Sequence, residues 1–141
     1  MERILVGIDA RTPFWEALDR ALCLGARIRA RVDVLAVFAR EGEATSAAGR
    51  ELLKRVEAQV AAAAQAGANV ALFMAEGRYE QELVAAARQL RTTLLVAAAA
   101  GVDERGGERE AENLGEILAG VDCRVELVSP RRDADRKKDV T

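Results

Sequence analysis

Leu94-Leu95-Val96-Ala97-Ala98-Ala99-Ala100-Gly101 is an apolar run that ends on a glycine. Its first half reads as a short strand buried on both faces. A charged, glycine-containing loop follows, Val102 to Gly107, and then a helix that opens on acid at Glu108, Glu110 and Glu112. A strand that feeds a loop and then a helix N-terminus is the layout with which α/β proteins hold phosphates. Whether this stretch keeps that chemistry is the main functional question that the sequence poses.

Outward from this unit the chain repeats strand and helix. Ile4 to Ile8, closed by Asp9, reads as a first buried strand. Thr12-Pro13 reads as an N-cap with proline at the first helical position, and predicts a helix to about Arg29. Leu18, Leu22, Gly25 and Ala26 give that helix one packing face, which Ala17, Ala21, Leu24 and Ile28 widen. Val32 to Phe38 predicts a second strand. A polar loop, Arg40 to Thr45, leads to a helix from about Ser46 to Ala66. In it Leu52, Leu53, Val56 and Val60 face inward, and Glu51 and Arg55 sit outside at i, i+4. Gly67 stops it as a C′ cap. Val70 to Met74 predicts a third strand, 79–91 a third helix, 94–98 the fourth strand, 108–119 the fourth helix, and 125–128 the last strand.

Strands alternating with helices predict a parallel sheet covered on both faces, with right-handed crossovers. In such sheets ligands bind off the carboxyl ends of the strands, where the strand order reverses. If strand four lies beside strand one, Asp9 and the turn from Ala98 to Gly101 share one crevice. The expected domain covers 1–129. The tail from Pro130 to Thr141 is mostly charge and reads as solvated and mobile.

Composition narrows the function. The chain has 141 residues and a formal net charge of -2, so no electrostatic argument favours nucleic acid or an anionic membrane. No apolar run approaches the roughly 18 residues of a membrane span. The N-terminus enters a strand at once, without a signal-peptide pattern. The sequence has no histidine, which removes the usual general base and the usual zinc ligand. The two cysteines, Cys23 and Cys123, form no CxxC and read as buried thiols in a reducing cytoplasm. No metal site is expected.

The pieces together resemble the universal stress protein family. The resemblance rests on Ile4-Leu5-Val6-Gly7-Ile8-Asp9, on Ala17-Leu18 and Ala21-Leu22, and on Leu35-Ala36-Val37. It continues through Glu76-Gly77, Leu94-Leu95-Val96 and the ending Cys123-Arg124-Val125-Glu126-Leu127-Val128. It implies a three-layer α/β sandwich, adenine-nucleotide α-hydrolase-like, with four helices and a five-stranded parallel sheet of order 3-2-1-4-5. It also implies that Asp9 contacts a nucleoside and that Val37 lines the adenine pocket. Read from the residues alone, Asp9 is equally a turn residue accepting backbone N–H groups, and Val37 is plain core.

The family's ATP-binding branch carries G-x2-G-x9-G-[ST] after strand four. Registered from Cys123, its positions fall on Ala98, Gly101, Ala111 and Glu112, so only Gly101 is kept. Alanine adds a methyl where backbone must approach a phosphate. Glu112 sets a carboxylate where a hydroxyl would donate. Like charges at ~4 Å repel by about 1 kcal/mol in water and by several times that in a partly desolvated cleft. Without any ligand, acids at a helix N-terminus stabilise it by ~0.3–1 kcal/mol each.

Two further features stay open in the sequence. Phe14 and Trp15 are adjacent, so one stripe cannot bury both; a broad packing face competes with an exposed anchor. Arg11 either meets an anion near Asp9 or pairs with a local acid.

The resemblance implies a homodimer through the last strand, Val125, Glu126, Leu127 and Val128, as the exposed sheet edge. The expected function is that of a non-enzymatic, cytoplasmic stress-response protein. It acts through dimerisation and protein contacts, with no cofactor, no nucleic acid and no membrane. The alternative is an ATP-binding member with an atypical phosphate loop and slow ATPase activity. A third is an unrelated small-molecule function on the same fold.

Overall fold

The computed structural model describes residues 2–98 and 107–128, the side chains of 107–113 excepted. It has five strands: β1 (Arg3–Asp9), β2 (Arg31–Phe38), β3 (Asn69–Glu76), β4 (Leu94–Ala98) and β5 (Arg124–Val128). Four helices alternate with them: α1 (Trp15–Ile28), α2 (Ala47–Gln65), α3 (Tyr79–Gln89) and α4 (Gly107–Gly120). All strand pairs are parallel, and the order is β3-β2-β1-β4-β5. This is the order that the resemblance implied. The expected tail after 129 lies outside the described residues.

Central β1 is covered on both sides because its side chains alternate between two cores. Ile4, Val6 and Ile8 join Leu18 and Ala21 of α1 and Val56 of α2. Leu5 joins Leu35 and Val37 of β2, Leu83 of α3 and Ile117 of α4. An apolar run without alternation, such as Ile4 to Ile8, is what burial on two faces requires.

Helix starts follow local chemistry less evenly. Ser46 caps α2 as expected, its Oγ accepting the Gly49 N–H at 3.1 Å. Thr12-Pro13 does not cap α1. The Thr12 N–H donates back to the Asp9 carbonyl at 3.1 Å, which closes a turn, and the helix begins only at Trp15 with Phe14 at the uncapped N-cap position. The face of α1 that is buried carries Ala17, Leu18, Ala21 and Gly25, and Ala26 and Ile28 are exposed instead of inward.

Three helices end in the same way. In α1, α2 and α3 the residues Arg29, Gly67 and Arg91 take positive φ (55°, 99° and 53°). The next N–H reaches back five residues: Ala30 to Gly25, Ala68 to Ala63, and Thr92 to Ala87. This is the Schellman closure, and its C′ position favours glycine. Only Gly67 meets that preference.

One other expectation is corrected. Cys23 is exposed and Cys123 half-buried, so the reading of two buried thiols fails at Cys23, which lies on the outer side of α1. Glu51 lies on the exposed side of α2 as read, and so does Arg55. Its guanidinium lies over Trp15, 3.9 Å from the ring centroid. Trp15 is half-buried and packs against the core beneath α1, which fits the broad-face reading.

Candidate functional site

The topology makes β1 and β4 neighbours, with Val6 beside Val96, so their carboxyl ends open at one place. Asp9 ends β1 and Ala98 ends β4. Val37 stands beside Asp9 on β2, and its carbonyl accepts the Ala10 N–H at 3.0 Å. Three of the predicted site residues therefore converge. Gly101 lies outside the described residues. Ala111 and Glu112 fall within α4, and their side chains are also outside them.

The Asp9 carboxylate is engaged within the chain. Oδ1 accepts the Arg11 backbone N–H at 3.0 Å and Arg11 Nε at 3.3 Å, and Oδ2 accepts Arg11 Nη2 at 3.1 Å. The hydrogen bonds that the Arg11 guanidinium donates to Asp9, helped by the carboxylate's charge, raise the Arg11 pKa against the opposing effect of burial. Of the two roles open to Arg11, the local ion pair is the one observed. This is the geometry of the turn reading of Asp9, since a turn aspartate accepts the N–H two residues on.

Val37 is 1% exposed. It belongs to the core cluster against which Tyr79 packs. The Tyr79 hydroxyl points at the Gly7 carbonyl over a long 3.4 Å. A Cβ at Gly7 would lie 2.8 Å from that hydroxyl oxygen and 2.8 Å from Leu83 Cδ1. Glycine is thus required at position 7 to admit the tyrosine. Burial, with Asp9 and Glu80 adding negative charge nearby, pushes the phenol pKa up, so it stays a neutral donor. Beside it Glu80 is buried and paired with Arg78 at 2.6 Å, and Arg78 also reaches Glu116 of α4 at 3.6 Å.

Sequence reasoning missed Tyr79, Glu80 and Arg78. Their signal was slight: the sole tyrosine of the chain, at the start of a helix that must begin at the carboxyl end of the sheet. It also missed Asp33, which is 0% exposed within the apolar β2.

At the β5 edge, Val125 and Val128 pack into opposite cores, while Leu127 is 48% exposed. Glu126 does not stand free. Its carboxylate accepts Arg20 Nε at 2.7 Å and Nη2 at 3.1 Å, which ties β5 to α1. The opposite edge, β3, exposes Phe73 and Met74. Among the described residues no group of acids and cysteines could hold a metal ion, and no helix is long and apolar enough to cross a membrane.

A parallel sheet of this order, with a switch point at its carboxyl end, is an α/β fold like that of nucleotide-binding proteins. Residues 1–125 match the universal stress protein family, and the chain belongs to that family. Solved structures agree on the fold. A universal stress protein in complex with cAMP is similar at 22% identity and a TM-score of 0.67, covering 91% of this chain and 96% of that one. A universal stress protein family member from Burkholderia pseudomallei is 26% identical, with a TM-score of 0.61 over 92% and 96% of the two chains. The universal stress protein from Archaeoglobus fulgidus in complex with dAMP is 15% identical, with a TM-score of 0.62 over 90% and 97%. No curated protein matches the sequence.

Proposed function

We infer that this universal stress-type protein is non-enzymatic and cytoplasmic, and acts through homodimerisation and protein contacts without tight ATP binding. The observation that carries the reading is the Asp9 carboxylate, held by three donors of Arg11. A nucleoside hydroxyl would meet a carboxylate most of whose acceptor positions are already taken, two of the three donors belonging to a guanidinium. The registered loop supports the same reading: alanine stands at 98 and 111, and a carboxylate at Glu112 replaces the hydroxyl. Dimerisation would use β5, an edge strand with unpaired backbone groups and an exposed Leu127.

A second reading is an adenine-nucleotide-binding member with slow ATPase activity. Similar proteins were solved with cAMP and dAMP, and Gly101 is retained. Calorimetric titration with ATP, dAMP and cAMP separates the two. Saturable ATP binding in the micromolar range would overturn the first reading. Sedimentation of the wild type and of Leu127→Lys tests the dimer, and a monomeric wild type would remove it from the proposal.

A further inference from the structure

The sheet has two edges, and they are built differently. β5 is 5 residues long and carries Arg124 and Glu126, the kind of charge with which native edges discourage pairing. β3 is 8 residues long and has neither charge nor proline from Asn69 to Ala75. It pairs with β2 one to one, from Arg31 beside Asn69 to Phe38 beside Glu76, so no bulge turns the edge away. Among the described residues nothing pairs with its outer side. Val70 and Leu72 reach the core beneath α2, but two larger side chains stay in water, Phe73 at 36% exposure and Met74 at 60%. An apolar edge of this length without a blunting device is a template for another strand.

Two charged residues indicate which strand. Glu76 ends β3 and is exposed. Arg29, also exposed, closes α1 and borders the hollow that Ala68 and Asn69 line at the opposite, amino end of the strand. Neither forms a salt bridge with a described residue. A two-fold axis perpendicular to the sheet sets a second β3 antiparallel to the first, and brings the acidic end of each to the basic end of the other. Such an axis keeps the α1 and α2 layers of both copies on one face, so opposed residues share the same parity along the strand. With Leu72 on the axis, Met74 stands opposite Val70, Phe73 opposite Ala71, and Glu76 opposite Ala68, beside Arg29 of the second copy. Each exposed large side chain then meets a smaller one, and the acid–arginine pair forms twice.

We propose that β3 is a self-pairing edge, at which a second copy of this chain adds antiparallel in this register. The contact is separate from the dimer proposed at β5. Two-fold contacts at opposite edges string copies into an open row, so variants at each edge tell the two apart.

Sedimentation equilibrium over roughly 1–200 µM reads the association, with circular dichroism to show that each variant is folded. Leu127→Lys removes pairing at β5 and should leave a dimer. Adding Met74→Lys should leave a monomer. In the Leu127→Lys background, Glu76→Arg and Arg29→Glu should each weaken the dimer by about five-fold or more, because each breaks two symmetric pairs and sets like charges together. The two reversals combined should restore it. A wild-type dimer that Met74→Lys alone dissolves would sustain this proposal and remove the β5 dimer. A wild-type dimer that Leu127→Lys alone dissolves would overturn this proposal and leave the β5 reading standing. A dimer that survives Met74→Lys in the Leu127→Lys background, or charge reversals that do not restore each other, would overturn it too. So would a protein that stays monomeric yet saturably binds a peptide spanning Asn69 to Glu76, which would give the edge to an extended segment of another protein.

Discussion

Arg11 grips Asp9 from two sides, through its own backbone N–H at 3.0 Å and its guanidinium at 3.1 Å. The carboxylate that ends β1 is thereby turned inward on its own loop. Removing the side chain leaves the backbone contact and frees Oδ2. Arg11→Ala alone should not create ATP binding, because the loop positions remain Ala98, Ala111 and Glu112. In a background of Ala98→Gly, Ala111→Gly and Glu112→Ser, however, Arg11→Ala should add about ten-fold in ATP affinity, the contribution of a hydrogen bond to a charged group. Calorimetry on the triple and quadruple variants reads it. If the triple variant gains no affinity, the register from Cys123 is wrong. If Arg11→Ala adds nothing to it, the ion pair is not the obstacle.

Tyr79 should behave as a packed donor, not as a surface phenol. Tyr79→Phe loses only a long bond to the Gly7 carbonyl and should cost about 0.5–1 kcal/mol. Gly7→Ala forces the ring and Leu83 aside and should cost about 1–3 kcal/mol. The raised phenol pKa has a defined sign. The neutral form is favoured by folding, so this stability is complete below the unfolded value of 10.0 and is lost as pH rises above it. With one tyrosine in the chain, tyrosinate absorbance reports it directly. Titration near the ordinary value, in protein still folded by circular dichroism, would contradict the burial.

Asp33 is the buried charge at the other end of the sheet. Its Oδ1 accepts Arg31 Nε at 2.9 Å, and Arg3 Nη2 lies 3.8 Å from Oδ2. Asp33→Ala strands two arginines, but both are about one-third exposed and can take up water. The loss should therefore sit near or below the lower end of the range for broken buried pairs, about 2–3 kcal/mol. Urea denaturation measures it, and a change within experimental error would show that the pair does not hold β1 to β2.

These residues mark the limit of what could be read from the chain alone. Apolar runs such as Ile4–Ile8 and Leu94–Ala98 encode strands locally, and short alternation with helices leaves few topologies; the family resemblance then singled out the order that brings the ends of β1 and β4, Asp9 and Ala98, to one place. Val32-Asp33-Val34 reads as a strand whether or not the aspartate is paired, because its partners Arg3 and Arg31 are defined only by the register with β1 and by folding back along β2. Tyr79 was illegible for the same reason: its place over Gly7 depends on how α3 lies across the sheet. Thr12-Pro13 carried a true local signal, but the Asp9 carbonyl claimed the Thr12 N–H first.

The two thiols should separate cleanly in reactivity. Cys23 is exposed, whereas burial raises the Cys123 pKa and lowers its thiolate fraction at neutral pH. Native protein should therefore show one fast-reacting thiol with Ellman's reagent, abolished by Cys23→Ser, and a second that speeds up only at higher pH or on unfolding. Two equally fast thiols in native protein would be inconsistent with the packing of Cys123 against the α3 and α4 core.

Arg20 and Glu126 join α1 to the edge strand and give β5 a pH dependence. The hydrogen bond from Arg20 lowers the Glu126 pKa from 4.5, against the opposing effect of burial. A depressed carboxylate pKa contributes stability that is complete above the unfolded value and is lost as pH falls through the folded one. Glu126→Gln should therefore lower the thermal midpoint at neutral pH, and the gap to wild type should close below pH 4.5. Because both side chains are partly exposed, the gap should also shrink with added salt. If β5 is the dimer edge, freeing Arg20 should change the dimer's dissociation constant along with the midpoint. A midpoint change with unaltered dissociation would confine the pair to holding α1 on the sheet.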